Sequence, residues 1–302
     1  SDFNGDGLID IATVSRLGNI SLYYRDANNA LTLAGTQPAG ALPTSLTAGD
    51  LNGDGRKDLV ALDGGSRDIT ILLSTGTTTF PSFVRRIRTP ILNPRAAAIA
   101  DFDQDGHADI VVTGTTAPYV VILYGFVFPF PYVNELGFTT RPNTFPSPFS
   151  QTQQPKRGHG IAVADLNGDG NQDLALLSSD GVVTLFLGSP SGQFTFFDAF
   201  NVSSDAEAIA LSDLNNDGLI YLALVDSGTN SVQVFLASGI GKFDLPNVVQ
   251  VSSVSNGLGS VASRTILTDD ATDPLATLTQ LLTVSGPAKA LMLVEEIDRT
   301  QL

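Results

Sequence analysis

The 302-residue chain has no cysteine, no tryptophan and a single methionine. Without cysteine there is no disulfide, no thiol nucleophile and no thiolate-held zinc, and the redox compartment stays open. Without tryptophan, sugar stacking is left to Tyr and Phe. No apolar run approaches the twenty residues that a transmembrane helix needs. No signal-peptide pattern opens the chain; Ser1 falls inside a repeat unit, which leaves room for an upstream part. Cations are few: 16 Lys and Arg face 31 Asp and Glu, for a net charge of −15. With no basic face, nucleic-acid binding is not expected. Glutamate is scarce, at Glu135, Glu207, Glu295 and Glu296. No window shows a capped 3.6-residue apolar period, so helices are not expected.

Aspartate is what the chain has in quantity, and it is patterned. A nine-residue loop occurs five times: DFNGDGLID (2–10), DLNGDGRKD (50–58), DFDQDGHAD (101–109), DLNGDGNQD (165–173) and DLNNDGLIY (213–221). Fifteen Asp occupy its odd positions, about half of all acidic residues. Three or four carboxylates so close together repel unless a cation lies among them. Calcium takes six to eight oxygens at about 2.3–2.6 Å, which alternate side chains plus one carbonyl can supply. In the second copy the ligands would be Asp50, Asn52, Asp54, the carbonyl of Arg56, and Asp58. Their equivalents are Asp2, Asn4, Asp6, Leu8 and Asp10; Asp101, Asp103, Asp105, His107 and Asp109; Asp165, Asn167, Asp169, Asn171 and Asp173; and Asp213, Asn215, Asp217 and Leu219. Position six is Gly in all five, which permits a positive φ where the chain bends around the ion.

The first six positions match an EF-hand loop, but position twelve is Thr13, Ala61, Val112, Leu176 or Leu224 instead of Glu. The closing carboxylate comes at position nine, between strand-like flanks. On charge count the third loop, with Asp103, should bind calcium most tightly. The fifth ends in Tyr221 and is expected to be weak or empty. Five calcium ions carry ten positive charges and would bring −15 to about −5. Loops of this kind need more calcium than the cytosol holds, which points to an extracellular setting.

The loops begin at residues 2, 50, 101, 165 and 213. Around each, apolar runs of four to six residues rich in Val, Ile, Leu and Thr keep fixed offsets, bounded by Gly, Asn, Asp and Pro. An aromatic closes several units: Phe80, Phe130, Phe194, Phe243. A fourth strand is expected after it, as at 84–89 and 248–252. Four antiparallel strands in about 50 residues, repeated, is the pattern of a propeller blade. The expected fold is an all-β single-domain propeller, 1–302, with six visible blades (1–44, 45–95, 96–158, 159–206, 207–259, 260–302) and seven as the runner-up. In the last, Asp269, Ala271 and Asp273 hold ligand positions, but Pro274 and Thr277 replace the Gly and final Asp, so no calcium is expected there. The tail 295–302 could supply the strand missing from the first blade. The insert 125–158, with GFVFPFPYV and TFPSPFS, is expected as an extended loop, either a lid or an exposed aromatic patch.

Taken together, DLNGDGxxDLxxL between strands resembles the FG-GAP/VCBS repeats, over almost the whole chain. The resemblance implies a calcium-bearing β-propeller like the integrin α-subunit head, of a microbial secreted kind, with the side-chain ligands given above. It implies a cell-surface module binding a protein or glycan. A self-associating structural subunit and a polysaccharide-acting enzyme are the alternatives. No catalytic residue is expected: G-x-S-x-G and P-loop motifs are absent, and His107, in the third loop, and His159, just before a strand, read as solvated or satisfied. Arg85, Arg86 and Arg88 form a small basic clump, a solvated strand edge or an anion contact.

Overall fold

The computed structural model describes residues 1–74, 83–115, 120–127, 136–141, 158–213, 218–229, 231–235, 237–239, 242–243, 247–250, 258–267, 277–285 and 291–294. They fall into two compact units, 1–158 with 190–193 and 159–189 with 194–302, each taken by itself below. All regular structure among the described residues is β. Among the described residues no helix is long and apolar enough to cross a membrane.

In the first unit, β1 (Ile11–Val14), β2 (Asn19–Arg25) and β3 (Leu31–Pro38) form a three-stranded sheet. Next, β4 (Pro43–Gly49), β5 (Asp58–Asp63), β6 (Asp68–Leu73) and β7 (Phe83–Arg88) form a four-stranded meander. The strands β8 (Pro94–Ala100), β9 (Asp109–Gly114), β10 (Val120–Val127) and β11 (Leu136–Thr139) repeat it. The second unit has β12 (Gly158–Ala164), β13 (Asp173–Ser178), β14 (Val182–Leu187) and β15 (Thr195–Asn201). It continues with β16 (Ala206–Ser212), β17 (Tyr221–Asp226), β18 (Ser231–Phe235), the small hairpin β19 (Ala237–Gly239) and β20 (Lys242–Phe243), and β21 (Asn247–Gln250), which joins β18. Last come β22 (Leu258–Leu267), β23 (Thr277–Ser285) and β24 (Leu291–Val294). Within each sheet the paired strands are antiparallel.

The second strand of each four-stranded blade is a continuous apolar run because neighbours cover both its faces. DLVALD, DIVVTG, DLALLS and YLALVD in β5, β9, β13 and β17 are buried at every position. Their side chains build cores shared by successive sheets. Val60, Leu62, Ile69 and Ile71 pack with Ile91, Ile110, Val112 and Leu123. Phe3, Ile20 and Leu22 pack with Leu59, Ala61 and Leu72. In the second unit Leu177, Val183 and Leu185 pack with Ile209, Leu222 and Leu224. Each such side chain contributes about 1.5–3 kcal/mol by leaving water. First strands approach closely: a Cβ at Gly49 would lie 2.7 Å from Cγ2 of Ile99, so β4 and β8 meet through a residue with no side chain. Phe243, expected to close its unit, packs 6.1 Å from Phe200, which also meets Phe235 at 5.5 Å.

Three expectations are corrected. Five sheets of three or four strands form blades, not six or seven. β22, β23 and β24, in the region expected as the sixth blade, instead form a separate three-stranded sheet on a longer hairpin, with ten residues in β22 and nine in β23. Thr277 there has no carboxylate to pin the hairpin, and no fourth strand joins it among the described residues. The insert is not all loop: its Pro-free LGFT becomes β11, pairing Tyr124 with Thr139 and Val127 with Leu136. His159 lies within β12 instead of before a strand. Phe80, Phe130, both Phe- and Pro-rich stretches beyond residue 127, the decayed loop at 269–273 and the tail 295–302 lie outside the described residues.

Candidate metal centre

The first four acidic loops each join the first two strands of a blade or lead into them, and their side chains turn inward onto their own backbone. In the first loop Gly5 N–H donates to Oδ1 of Asp2 (2.7 Å) and Gly7 N–H to Oδ2 (2.9 Å). Asp6 N–H donates to Oδ1 of Asn4 and Leu8 N–H to Oδ1 of Asp6. The second and fourth loops repeat this: Gly53 and Gly55 donate to Asp50, and Gly168 and Gly170 to Asp165. Arg56 N–H then meets Asp54, and Asn171 N–H meets Asp169. In the third, Gly106 donates to Asp101 and His107 to Asp105. The expected glycine conformation holds, with φ of 83–85° at Gly7, Gly55, Gly106, Gly170 and Gly218. At position four the third loop carries Gln104 in the left-handed region, φ 56°, where three other copies have described glycines.

The closing aspartate sits differently. Asp10, Asp58, Asp109 and Asp173 are at most 2% exposed, whereas Asp6, Asp54, Asp105 and Asp169 are exposed. Each closing carboxylate accepts two backbone N–H groups from opposite sides. Oδ2 accepts from position two: Phe3, Leu51, Phe102 or Leu166, at 2.7–2.9 Å. Oδ1 accepts from a residue at or near the end of the next strand: Arg25, Ser74, Gly125 or Gly188, at 2.7–3.0 Å. One side chain thereby ties the loop to the far end of the hairpin. Burial pushes Asp58 up to about 6, Asp109 to about 7 and Asp173 to about 6, against the pull of those N–H donors. The position-one and neighbouring carboxylates (Asp50 and Asp54, Asp101 and Asp103, Asp165 and Asp169) add to the rise. The residue pattern held one overlooked signal of this clamp: position two is always Phe or Leu, and the described ones are at most 6% exposed.

The donors fit a hard divalent cation. They are all oxygen, with no thiolate or imidazole nitrogen among them, and oxygen-rich sites suit calcium or magnesium over zinc. In the third loop, ligand oxygens of Asp101, Asp103 and Asp109 lie within 4.8 Å of one another. That loop also holds a feature no spacing announced. Arg141, at the end of the insert's strand, pairs with Asp103 (2.5 Å) and stacks over the ring of Tyr124, 4.1 Å from its centroid. Tyr124 O–H in turn donates to the Gly192 carbonyl at 2.6 Å. The additional carboxylate of the third loop thus already faces a guanidinium. Of the fifth loop, Asp213 accepts Gly218 N–H at 2.8 Å, and Tyr221 is buried at the head of β17. Asn215 and Asp217 lie outside the described residues.

Comparison with known proteins gives a family and a fold. A model of the FG-GAP-like repeat matches residues 2–61, 50–112 and 165–222. Each match opens on a position-one aspartate and spans two successive loops. No curated protein matches. Among solved structures, BBS1N in complex with ARL6DN, in a lead-soaked crystal, is 11% identical with a TM-score of 0.54, covering 94% of this chain and 74% of that one. Its mercury-soaked counterpart is 13% identical with a TM-score of 0.53, covering 100% and 91%. A functionally unknown protein from Desulfotomaculum acetoxidans DSM 771 is 13% identical with a TM-score of 0.53, covering 94% and 78%. At these identities the likeness concerns the fold alone.

Proposed function

The chain belongs to the FG-GAP-like repeat family, and on that premise we propose that it is a calcium-stiffened β-propeller module that binds another protein outside the cell. The observation that carries the reading is the four-fold recurrence of one device, a buried closing aspartate that holds a loop of alternating carboxylates to its hairpin. A bound calcium ion would neutralise the converging carboxylates of each loop. The aspartates at positions one and nine keep the loop folded onto β-strand ends, so the blade edge presents a fixed surface. The solved neighbour BBS1N is described in complex with a protein, ARL6DN, which supports a protein as the partner. The need for calcium above cytosolic levels supports the extracellular setting. Affinity capture on the immobilised chain, from the proteins of its own source, tests this. Capture that is specific, and lost under chelator, is expected; equal recovery on a bead carrying an unrelated β protein would refute it.

Two further results are expected here. The first concerns pH. With chelator present, Asp58, Asp109 and Asp173 have folded pKa values raised above the unfolded value of about 3.9. The folded state then binds more protons between roughly pH 4 and 7, so stability rises on acidification and falls as pH climbs through that window. With calcium the carboxylates must be ionised to hold the metal, so acidification from pH 8 to 6 should lower the melting temperature. Melts at both pH values, with and without calcium, should give slopes of opposite sign; slopes of one sign contradict the ligand assignment. The second concerns Arg141. Its charge competes for Asp103, so the third loop is not the tightest site despite its carboxylate count. Arg141→Gln should raise that loop's calcium affinity by about tenfold, the equivalent of ~1.4 kcal/mol. Titration with the other loops mutated would read it, and an unchanged affinity would show that the pair does not oppose metal.

A further inference from the structure

Between β7, an edge strand of the second sheet, and the outer strands β10 and β11 of the third lies an open groove of about 600 Å³. That is the size of ligand clefts, about 300–1,000 Å³. Its floor includes Leu123 and Phe138, and Thr139 and Thr140 add hydroxyls at its rim. Among the described residues its charges are two arginines, Arg67 and Arg88, with no acidic side chain in the lining. In a chain with 31 acidic and 16 basic residues, that local balance runs against the whole. Both guanidiniums are exposed, and neither makes an ion pair among the described residues. Asp68 stands opposite Arg88 in the ladder but forms no salt bridge with it. Their backbones are held together: Arg67 N–H donates to the Asp63 carbonyl, and Thr89 N–H to the Arg67 carbonyl. Of the basic clump read from sequence, Arg86 donates to the Ala39 carbonyl at 3.0 Å, and Arg88 lines the groove.

We propose that this groove receives an extended acidic segment of a partner protein, its carboxylates on Arg67 and Arg88 and a bulky apolar side chain on Leu123 and Phe138. The inference rests on the protein-binding reading above and names the site and chemistry of the partner. An extended peptide fits better than a compact anion because, among the described residues, β7 and β11 both stand at sheet edges, where a strand-like segment can lie alongside. The guanidinium fork matches a carboxylate in two hydrogen bonds, and the apolar floor rewards an aromatic or leucine neighbour.

The test is selection of random twelve-residue peptides displayed on phage against the wild-type chain in calcium. Enriched peptides should combine Asp or Glu with an aromatic or leucine. Synthetic versions should bind Arg67→Gln/Arg88→Gln about tenfold more weakly, weaken as salt is raised, and bind Thr140→Glu more weakly still. All three altered side chains are exposed, so melting temperatures should stay at the wild-type value. Peptides that bind the variants as well as wild type would overturn the groove and leave the module intact. Complete displacement by millimolar inorganic phosphate or acetate would make it a small-anion site and overturn the peptide occupant. Failure to enrich any peptide overturns the groove; only if affinity capture also fails does the binding-module reading fall with it.

Discussion

Replacing Asp173 by alanine is expected to destabilise the calcium-loaded chain by about 3–5 kcal/mol, far more than any other single loop substitution in the fourth repeat. The carboxylate accepts N–H from Leu166 and from Gly188, both at 2.7 Å, in a position with no solvent exposure. A buried donor left without an acceptor costs about 1–3 kcal/mol; the Leu166 bond is buried and the Gly188 bond partly so. Metal affinity at that loop goes with it. Under chelator the loss should shrink, because an ionised Asp173 is itself disfavoured there by burial and by Asp165 and Asp169. The comparison is Asp169→Ala, whose side chain is exposed and accepts from within its own loop, expected to cost under about 1 kcal/mol in chelator. Asp173→Asn should fall between, since one acceptor remains and the amide nitrogen faces an N–H donor. Urea unfolding of the three variants, with and without calcium, measures this. Equal costs for Asp173→Ala and Asp169→Ala would mean that the closing residue is no clamp.

Calcium removal should have the larger total effect. A ligand that binds only the folded chain adds about 2.7 kcal/mol per site at a hundredfold excess over its Kd. Four such sites would supply roughly 11 kcal/mol, comparable to the whole stability of an ordinary domain, about 5–15 kcal/mol. The melting temperature should therefore fall by on the order of 20 °C under chelator, and return with calcium. Magnesium should restore little, since it holds its waters and demands a tighter octahedron than these nine-residue loops offer. A shift under about 2 °C would refute a stabilising role for the loops.

Much of this was legible in the residues because the repeat states its own geometry. An acidic loop whose ninth residue opens an apolar run locates the second strand, and Asp58, Asp109 and Asp173 are indeed the first residues of β5, β9 and β13. Continuous apolarity of those runs also announced burial on both faces. Spacing did not reveal what the closing carboxylate bonds to, because a side chain's acceptors can serve a metal or a backbone and the pattern is the same for both. Arg141 was hidden for another reason: it lies 38 residues beyond Asp103, in an insert without repeat register. β11 was hidden by its Pro- and Phe-rich surroundings, which read as loop although LGFT itself is strand chemistry. The blade count was overestimated since apolar runs at 278–284 and 288–294 indicate strands without indicating how many a sheet will collect.

The most direct measurement is the number of calcium ions the chain retains, counted by native mass spectrometry across a calcium titration. The account predicts four held firmly, a fifth appearing only at excess, and three in an Asp165→Ala/Asp173→Ala variant. A chain that retains none, or that keeps the same number after that double substitution, contradicts it.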